Sequence, residues 1–353
     1  MIRLTWRQFR TQAAVALGGL VIVALVVVLT GPHLRDLYHS LVAPCHAHGD
    51  CSTAYGSFLG TDSTLRTWLG ILTIVVPGLI GIFWGAPLVA RELEAGTYRL
   101  AWTQSVTRRR WLAAKLGLIG LAAMVTAGLL SLLVTWWASP LDRAGMDVYS
   151  TFDQRDLVPL GYAALAFSLG VTAGVLIRRT LPAMAATLVA FVAGRLAFNQ
   201  LVRPHLLAPT LQNLRLSDTT AGFGSQNGGP FTVLPNTPLL PNALTTSTQI
   251  VDRAGSALTP QYVAKVCPAL VKGAGTSAPA PGSGHSFRVK APPGVDQALQ
   301  SCLSKLSGRY HEVVTYQPSS HYWMFQWYEL GFYLVAALVL AGVSLWWLRR
   351  RRS

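Results

Sequence analysis

Trp68-Leu-Gly-Ile-Leu-Thr-Ile-Val-Val-Pro-Gly-Leu-Ile-Gly-Ile-Phe-Trp-Gly-Ala-Pro-Leu-Val-Ala90 runs for 23 residues without a charged side chain, and Arg91 and Glu92 follow it directly. A helix needs about 20 predominantly apolar residues to cross a hydrocarbon core of roughly 30 Å, so this stretch reads as a membrane span. Working outward, five more stretches of the same kind cover residues 13–30, 116–138, 157–177, 181–201 and 330–348. Arg195 interrupts the fifth near its end, where a long side chain is expected to snorkel to the interface. Pro77 is expected to kink the second span, whereas Pro182 falls in the first turn of the fifth, where a missing N–H costs little. Tyr322, Trp323, Phe325, Trp327 and Tyr328 precede the sixth as an interfacial aromatic belt. The first apolar run is longer than a signal-peptide core and no small-residue cleavage pattern follows Thr30, so it reads as a retained span.

The composition agrees. Of 353 residues, 51% are hydrophobic and 12% charged, about half the charged fraction of a soluble domain (roughly 25%). The mean hydropathy is +0.39, so the net charge of +15 does not belong to a soluble basic domain. Four cysteines are too few for a disulfide-built mini-protein, and the apolar content excludes intrinsic disorder.

Lys and Arg counts on alternate sides of the spans set the expected orientation. One side collects Arg3, Arg7, Arg10, Arg91, Arg99, Arg108, Arg109, Arg110, Lys115, Arg178, Arg179 and Arg349 to Arg352, fifteen cations against Glu92 and Glu94, leaving +13. The other side holds fourteen cations against twelve acids, leaving +2. Both termini are therefore expected in the cytoplasm, the excess charge is a topology signal, and nucleic acid is excluded as a partner. The fold class expected is an all-α polytopic membrane protein of six transmembrane helices with a large external insertion between helices 5 and 6. Its expected parts are a cytoplasmic amphipathic helix (1–12), helices 1–5 with their loops (13–201), an extracellular subdomain (202–325), helix 6 (326–348) and a basic cytoplasmic tail (349–353). Ile2, Trp6 and Phe9 share one helical face and Arg3, Arg7 and Arg10 another, which suits an interfacial helix or a basic extension of the first span equally.

Residues 31–67 form the expected first external loop, and all four cysteines fall on the external side, where disulfides persist. Cys45 and Cys51 are close enough in sequence to close a small loop, and Cys267 would then pair with Cys302, one of three connectivities. In the insertion, Thr259 and Pro260 read as the cap and first turn of a helix through Val271. Val295, Leu299, Cys302, Leu303 and Leu306 lie on one face of a second helix. Residues 273–294 read as a Gly/Ala/Ser/Pro-rich loop and 206–248 as coil with short elements.

Catalytic and metal chemistry find little footing. His46 and His48 lie between Cys45 and Cys51, but four ligands within seven residues match no common zinc spacing. His311-Glu312 opens a zinc-protease motif that fails at Thr315. Every Asp is external and no acid lies deep in a span, Glu329 standing at the outer edge of the sixth, which weakens a secondary-transporter reading. There is no Gly-Lys dipeptide and hence no P-loop, so any ATP is bound by another polypeptide.

The most informative segment is the first cytoplasmic loop, Arg91-Glu-Leu-Glu-Ala-Gly-Thr-Tyr-Arg-Leu-Ala-Trp-Thr-Gln-Ser-Val-Thr-Arg-Arg-Arg-Trp111. It holds both cytoplasmic acids, a Gly96 able to end one helix and a Thr107 able to cap the next, and so reads as a helix-turn-helix that docks on a partner or as a basic connector that fixes topology. Leu4-Thr-Trp-Arg-Gln-Phe-Arg-Thr-Gln12, Ala90-Arg-Glu-Leu-Glu-Ala-Gly-Thr97, Trp102-Thr-Gln-Ser-Val-Thr-Arg108 and Tyr316-Gln-Pro318 with Phe325-Gln326 and Glu329 carry a resemblance. The chain resembles the actinobacterial permease subunits of ABC-2 type ABC transporters. The resemblance implies a non-enzymatic subunit of the cell membrane that couples ATP hydrolysis on a separate ATPase subunit to export of a substrate the sequence does not name. It also implies a second permease subunit, identical or not, and places Glu92, Glu94, Gly96, Thr97 and Arg99 in or beside the ATPase-coupling region. The alternative is a non-transporting scaffold or receptor whose external subdomain binds a ligand or protein.

Overall fold

Lipid acts as solvent for most of this chain. Among the described residues, six helices are long and apolar enough to cross a membrane: Phe9–Val42, Ser63–Glu94, Arg110–Arg143, Val148–Ile177, Thr180–His205 and Ser319–Leu348. The protein is multi-pass, and an even number of crossings puts both termini at one end, called here the terminal end. A computed structural model describes residues 2–45, 52–96, 108–144, 148–217, 221–224, 232–235, 243–268 and 295–350. The chain forms two units, Met1–Leu207 with Ser320–Ser353, and Ala208–Ser319.

In the first unit, span 1 is α1 (Ile2–Leu37), followed by a π-turn at Tyr38–Val42 and a short α2 (Ser52–Thr61). Span 2 is α3 (Ser63–Ile80), a π-turn (Gly81–Gly85) and α4 (Ala86–Glu94) in continuous succession. Spans 3, 4 and 5 are α5 (Arg108–Arg143), α6 (Val158–Ile177) and α7 (Thr180–Ala197); a 3-10 turn (Val148–Gln154) joins the first two, and α7 continues through Phe198–Val202 and Arg203–His205. Span 4 is the central post. Its sequence, rich in Gly161, Ala163, Ala164, Ala166, Ser168, Gly170 and Gly174, is buried on nearly every side, and α3, α4, α5 and α7 all pack against it. Small residues let backbones approach where lipid supplies no hydrophobic drive for association. Span 1 faces outward instead, with Val15, Leu17, Ile22 and Leu29 exposed, as a lipid-solvated surface requires.

Several boundaries differ from the sequence reading. The first dozen residues are not a separate helix, since α1 runs unbroken from Ile2 to Leu37. It also passes Gly31-Pro32, where a loop was expected, because span 3 grips it there. Trp137 Nε1 donates to Thr30 Oγ1 at 3.1 Å, the Arg35 guanidinium lies 4.5 Å from the Trp136 ring centre, and a side chain at Gly31 would strike that ring. Irregularity in span 2 falls in the π-turn four residues beyond Pro77. Residues 202–207 and 320–325 belong to the membrane unit rather than the insertion, since Val202, Leu206, Leu207, Tyr322 and Phe325 share a core with Phe152 and Phe198.

The second unit is not helical throughout. Among its described residues, five strands, β1 (Thr210–Arg215), β2 (Ala221–Gly224), β3 (Thr232–Pro235), β4 (Leu244–Asp252) and β5 (Tyr310–Gln317), accompany α8 (Pro260–Val266) and α9 (Val295–Leu306). They form an antiparallel sheet in the order β1-β5-β4 and a separate β2-β3 pair. Strand β5 buries Tyr310, Glu312 and Val314 on alternate positions, so His311 and Glu312 point to opposite faces and do not converge on one ion. Thr259 Oγ1 accepts from Tyr262 N at 3.4 Å to start α8, which ends at Val266 rather than Val271. Cys267 and Cys302 are disulfide-bonded with Cα atoms 5.5 Å apart, inside a core with Val263, Leu303, Leu306 and Tyr310. Cys45 is disulfide-bonded as well, while His46, His48 and Cys51 lie outside the described residues. The 273–294 loop lies outside them too. From α10 (Tyr322–Arg350) the chain makes span 6 and returns to the terminal end.

Candidate functional site

The site grows out of the irregularity in span 2. Gly81 and Gly85 lie four apart in the π-turn, and Gly170 and Gly174 lie four apart on span 4. A Cβ on Gly81 would stand 2.5 Å from Ala166 O, one on Gly85 2.6 Å from Phe167 O, and one on Gly174 2.6 Å from Ala86 O. Two small-x-x-x-small ridges thus cross backbone to backbone, an arrangement only glycine permits at this separation. The crossing seats α4, whose Ala86 and Ala90 are fully buried with Ala183 of span 5. Span 1 holds the turn from its far side: Gln12 Nε2 donates to Phe83 O at 3.1 Å, and the Phe9 and Trp84 rings meet edge-on with centres 4.7 Å apart.

Two carboxylates complete the attachment. Glu92 Oε1 lies 2.6 Å from Lys115 Nζ of span 3, a lysine whose side chain is only 4% exposed and which sits 4.5 Å from the Trp111 ring centre. Glu94 Oε2 accepts from Thr180 N at 3.1 Å and Thr180 Oγ1 at 2.7 Å. Thr180 is the first residue of α7, whose own N-cap, Arg179, supplies no side-chain bond, so Glu94 caps that helix from outside. A carboxylate at a helix N-terminus is also favoured by the helix dipole. Gly96 follows with φ +70 in the left-handed region and ends α4. Thr97 and Arg99, and the Trp102 to Thr107 segment, lie outside the described residues.

Glu92 and Glu94, placed by the resemblance in or beside the coupling region, reach neighbouring spans. Lys115 and Thr180, their partners, were not singled out as site residues. Neither was the glycine crossing, although Gly81-Ile-Phe-Trp-Gly85 and Gly170-Val-Thr-Ala-Gly174 spell it.

A second polar cluster lies at the opposite end, around Glu329, which stands near the start of span 6. Glu329 of span 6 is fully buried and accepts from Arg203 Nε at 2.5 Å and Nη2 at 3.0 Å. Arg203 also donates to Asp153, which further accepts from Arg195 at 3.2 Å and Tyr162 Oη at 3.1 Å. Beside it, Arg155 makes a two-pronged bond to Asp142 at 2.7 and 2.8 Å, and Tyr322 Oη donates to Asp156 at 2.5 Å. Gln326 Oε1 accepts from Leu157 N and Val158 N, both at 3.0 Å, capping span 4. Tyr322, Gln326, Glu329 and Tyr333 follow one another at helical spacing on span 6, the signal that could have revealed this stripe.

Six spans among the described residues, packed around a small-residue post with a short helix braced where span 2 leaves the bundle, define a multi-pass membrane protein. The family model described as ABC-2 membrane transporter related matches residues 17–203, more than half of the chain, and the protein belongs to that family. No curated protein and no solved structure matches it.

Proposed function

We propose that the chain is the permease subunit of an ABC transporter, using ATP hydrolysed by a separate ATPase subunit to export a substrate through an interface between two permease subunits. Both termini and α4 then lie in the cytoplasm, as the charge asymmetry favours. The observation that carries this reading is the bracing of α4. A loop serving topology alone needs no glycine crossing, buried lysine or foreign helix cap, whereas a lever that receives force needs rigid attachment to the spans it moves. Membership in the ABC-2 family supplies the partner's chemistry, and the absence of a Gly-Lys dipeptide leaves nucleotide binding to that partner.

The test is purification of the tagged full-length chain from its native membrane. Recovery with a polypeptide carrying Gly-x-x-x-x-Gly-Lys-Ser/Thr and with ATPase activity is expected, and that activity should fall on Arg91→Glu, since Arg91 is exposed on α4. Recovery of the chain without any ATPase overturns the reading. The receptor alternative draws on one observation, that the second unit has its own core and disulfide. A ligand held by that unit in the absence of an ATPase partner would favour it.

A further inference from the structure

Resting on that reading, we infer that Lys115 and Thr180 are the positioning residues through which α4 moves spans 3 and 5, and that it moves them in opposite senses. Glu92 and Glu94 are two residues apart on one helix, and each residue advances about 100° around the axis, so the two side chains leave α4 about 200° apart. One reaches span 3 and the other span 5. A rotation of α4 about its own axis therefore carries the two attachment points in opposite directions. The contact with span 4 does not share this property, because it is made by backbone and alanine methyls lying close to the α4 axis, at Ala86, Ala90, Gly170 and Gly174.

Both links suit the transmission of load. The Glu92–Lys115 pair is largely withdrawn from water, so its charges are weakly screened, and Trp111 beneath the ammonium limits where that group can go. At Thr180 the same carboxylate oxygen takes the first backbone N–H of α7 and the hydroxyl of the same residue. Displacing Glu94 thus acts on the end of the helix itself rather than on a swinging side chain. These are also the two acids found on the terminal side of the chain, and both are committed to neighbouring spans.

The experiment uses the full-length permease with its co-purified ATPase in lipid nanodiscs. No free cysteine occurs among the described residues, so spin labels on Leu121→Cys of span 3 and Val189→Cys of span 5, both exposed to lipid, report the distance between those spans. ATP with vanadate is expected to shift that distance in the parent. Thr180→Val and Lys115→Met should each abolish or reduce the shift while the ATPase still co-purifies and still hydrolyses ATP. Thr180→Ser, which keeps the hydroxyl and the N–H, should restore it, a rescue that general loosening of the fold would not give. A full shift in Thr180→Val and Lys115→Met, or none in the parent complex, overturns the inference. Loss of the ATPase from the parent preparation instead overturns the proposed function, so the two failures are distinct.

Discussion

Arg203→Met isolates the energetic weight of the second polar cluster. Glu329 has no exposed surface and receives two bonds from Arg203, whose side chain is 23% exposed. Removing one partner of a buried ion pair costs about 3–5 kcal/mol, because the remaining charge is left uncompensated. Water reaches the Arg203 end of the pair, so the lower figure, about 3 kcal/mol, applies. Glu329→Gln leaves Arg203 paired to Asp153 and keeps a hydrogen-bonding side chain at 329, so it should cost less, about 1–2 kcal/mol. Combining Arg203→Met with Glu329→Gln removes the stranded charge, and the double variant should be more stable than the sum of the single losses by about 1–3 kcal/mol. Equilibrium unfolding in mixed micelles, followed by tryptophan fluorescence, measures all four proteins. Strict additivity, or an Arg203→Met protein within about 0.5 kcal/mol of the parent, would refute the claim that this pair is a coupled, desolvated unit.

Two further sets of substitutions probe the rest of the molecule. Gly81→Ala and Gly170→Ala should each cost about 1–3 kcal/mol, as overpacking does in a closed contact, whereas Gly18→Ala, whose added methyl meets nothing within 4 Å, should be neutral. Thermal denaturation in detergent separates the two cases, and equal effects at all three sites would contradict the crossing. Replacing Cys267 and Cys302 together by serine opens a closure of 35 residues and should lower the stability of the second unit by about 3–4 kcal/mol. Hydrogen exchange should show β5 losing protection while span 4 keeps it, and unchanged β5 would count against the bridge as a stabilising element.

Lipid made the spans readable, because a hydrocarbon solvent imposes one pattern on every crossing. Their ends were less readable. The third span reads from sequence as ending near Ala138, ahead of Pro140 and Asp142, yet α5 continues to Arg143, with Asp142 paired to Arg155. Chain direction and composition do not reveal which way a carboxylate turns, so Glu92 and Glu94 could be chosen from sequence but not aimed. Their direction depends on Lys115 and Thr180, which lie 23 and 86 residues away. The strands of the second unit were obscured for another reason. Thr210 to Arg215 is an edge strand with little burial, so its alternation of apolar and polar residues is faint.

The polar stripe of span 6 bears on how the protein is made. A carboxylate in a membrane helix opposes insertion by up to about 2.5–3.5 kcal/mol, so a segment containing Glu329 and Gln326 enters lipid less readily than its flanks would suggest. Synthesis runs from the N-terminus, and Arg203 leaves the ribosome 126 residues before Glu329. By the time span 6 emerges, the guanidinium that neutralises it and the span 4 backbone that receives Gln326 have already been made. The polar stripe of span 6 is thus made after its partners, and the order of translation supplies its counter-charges in advance.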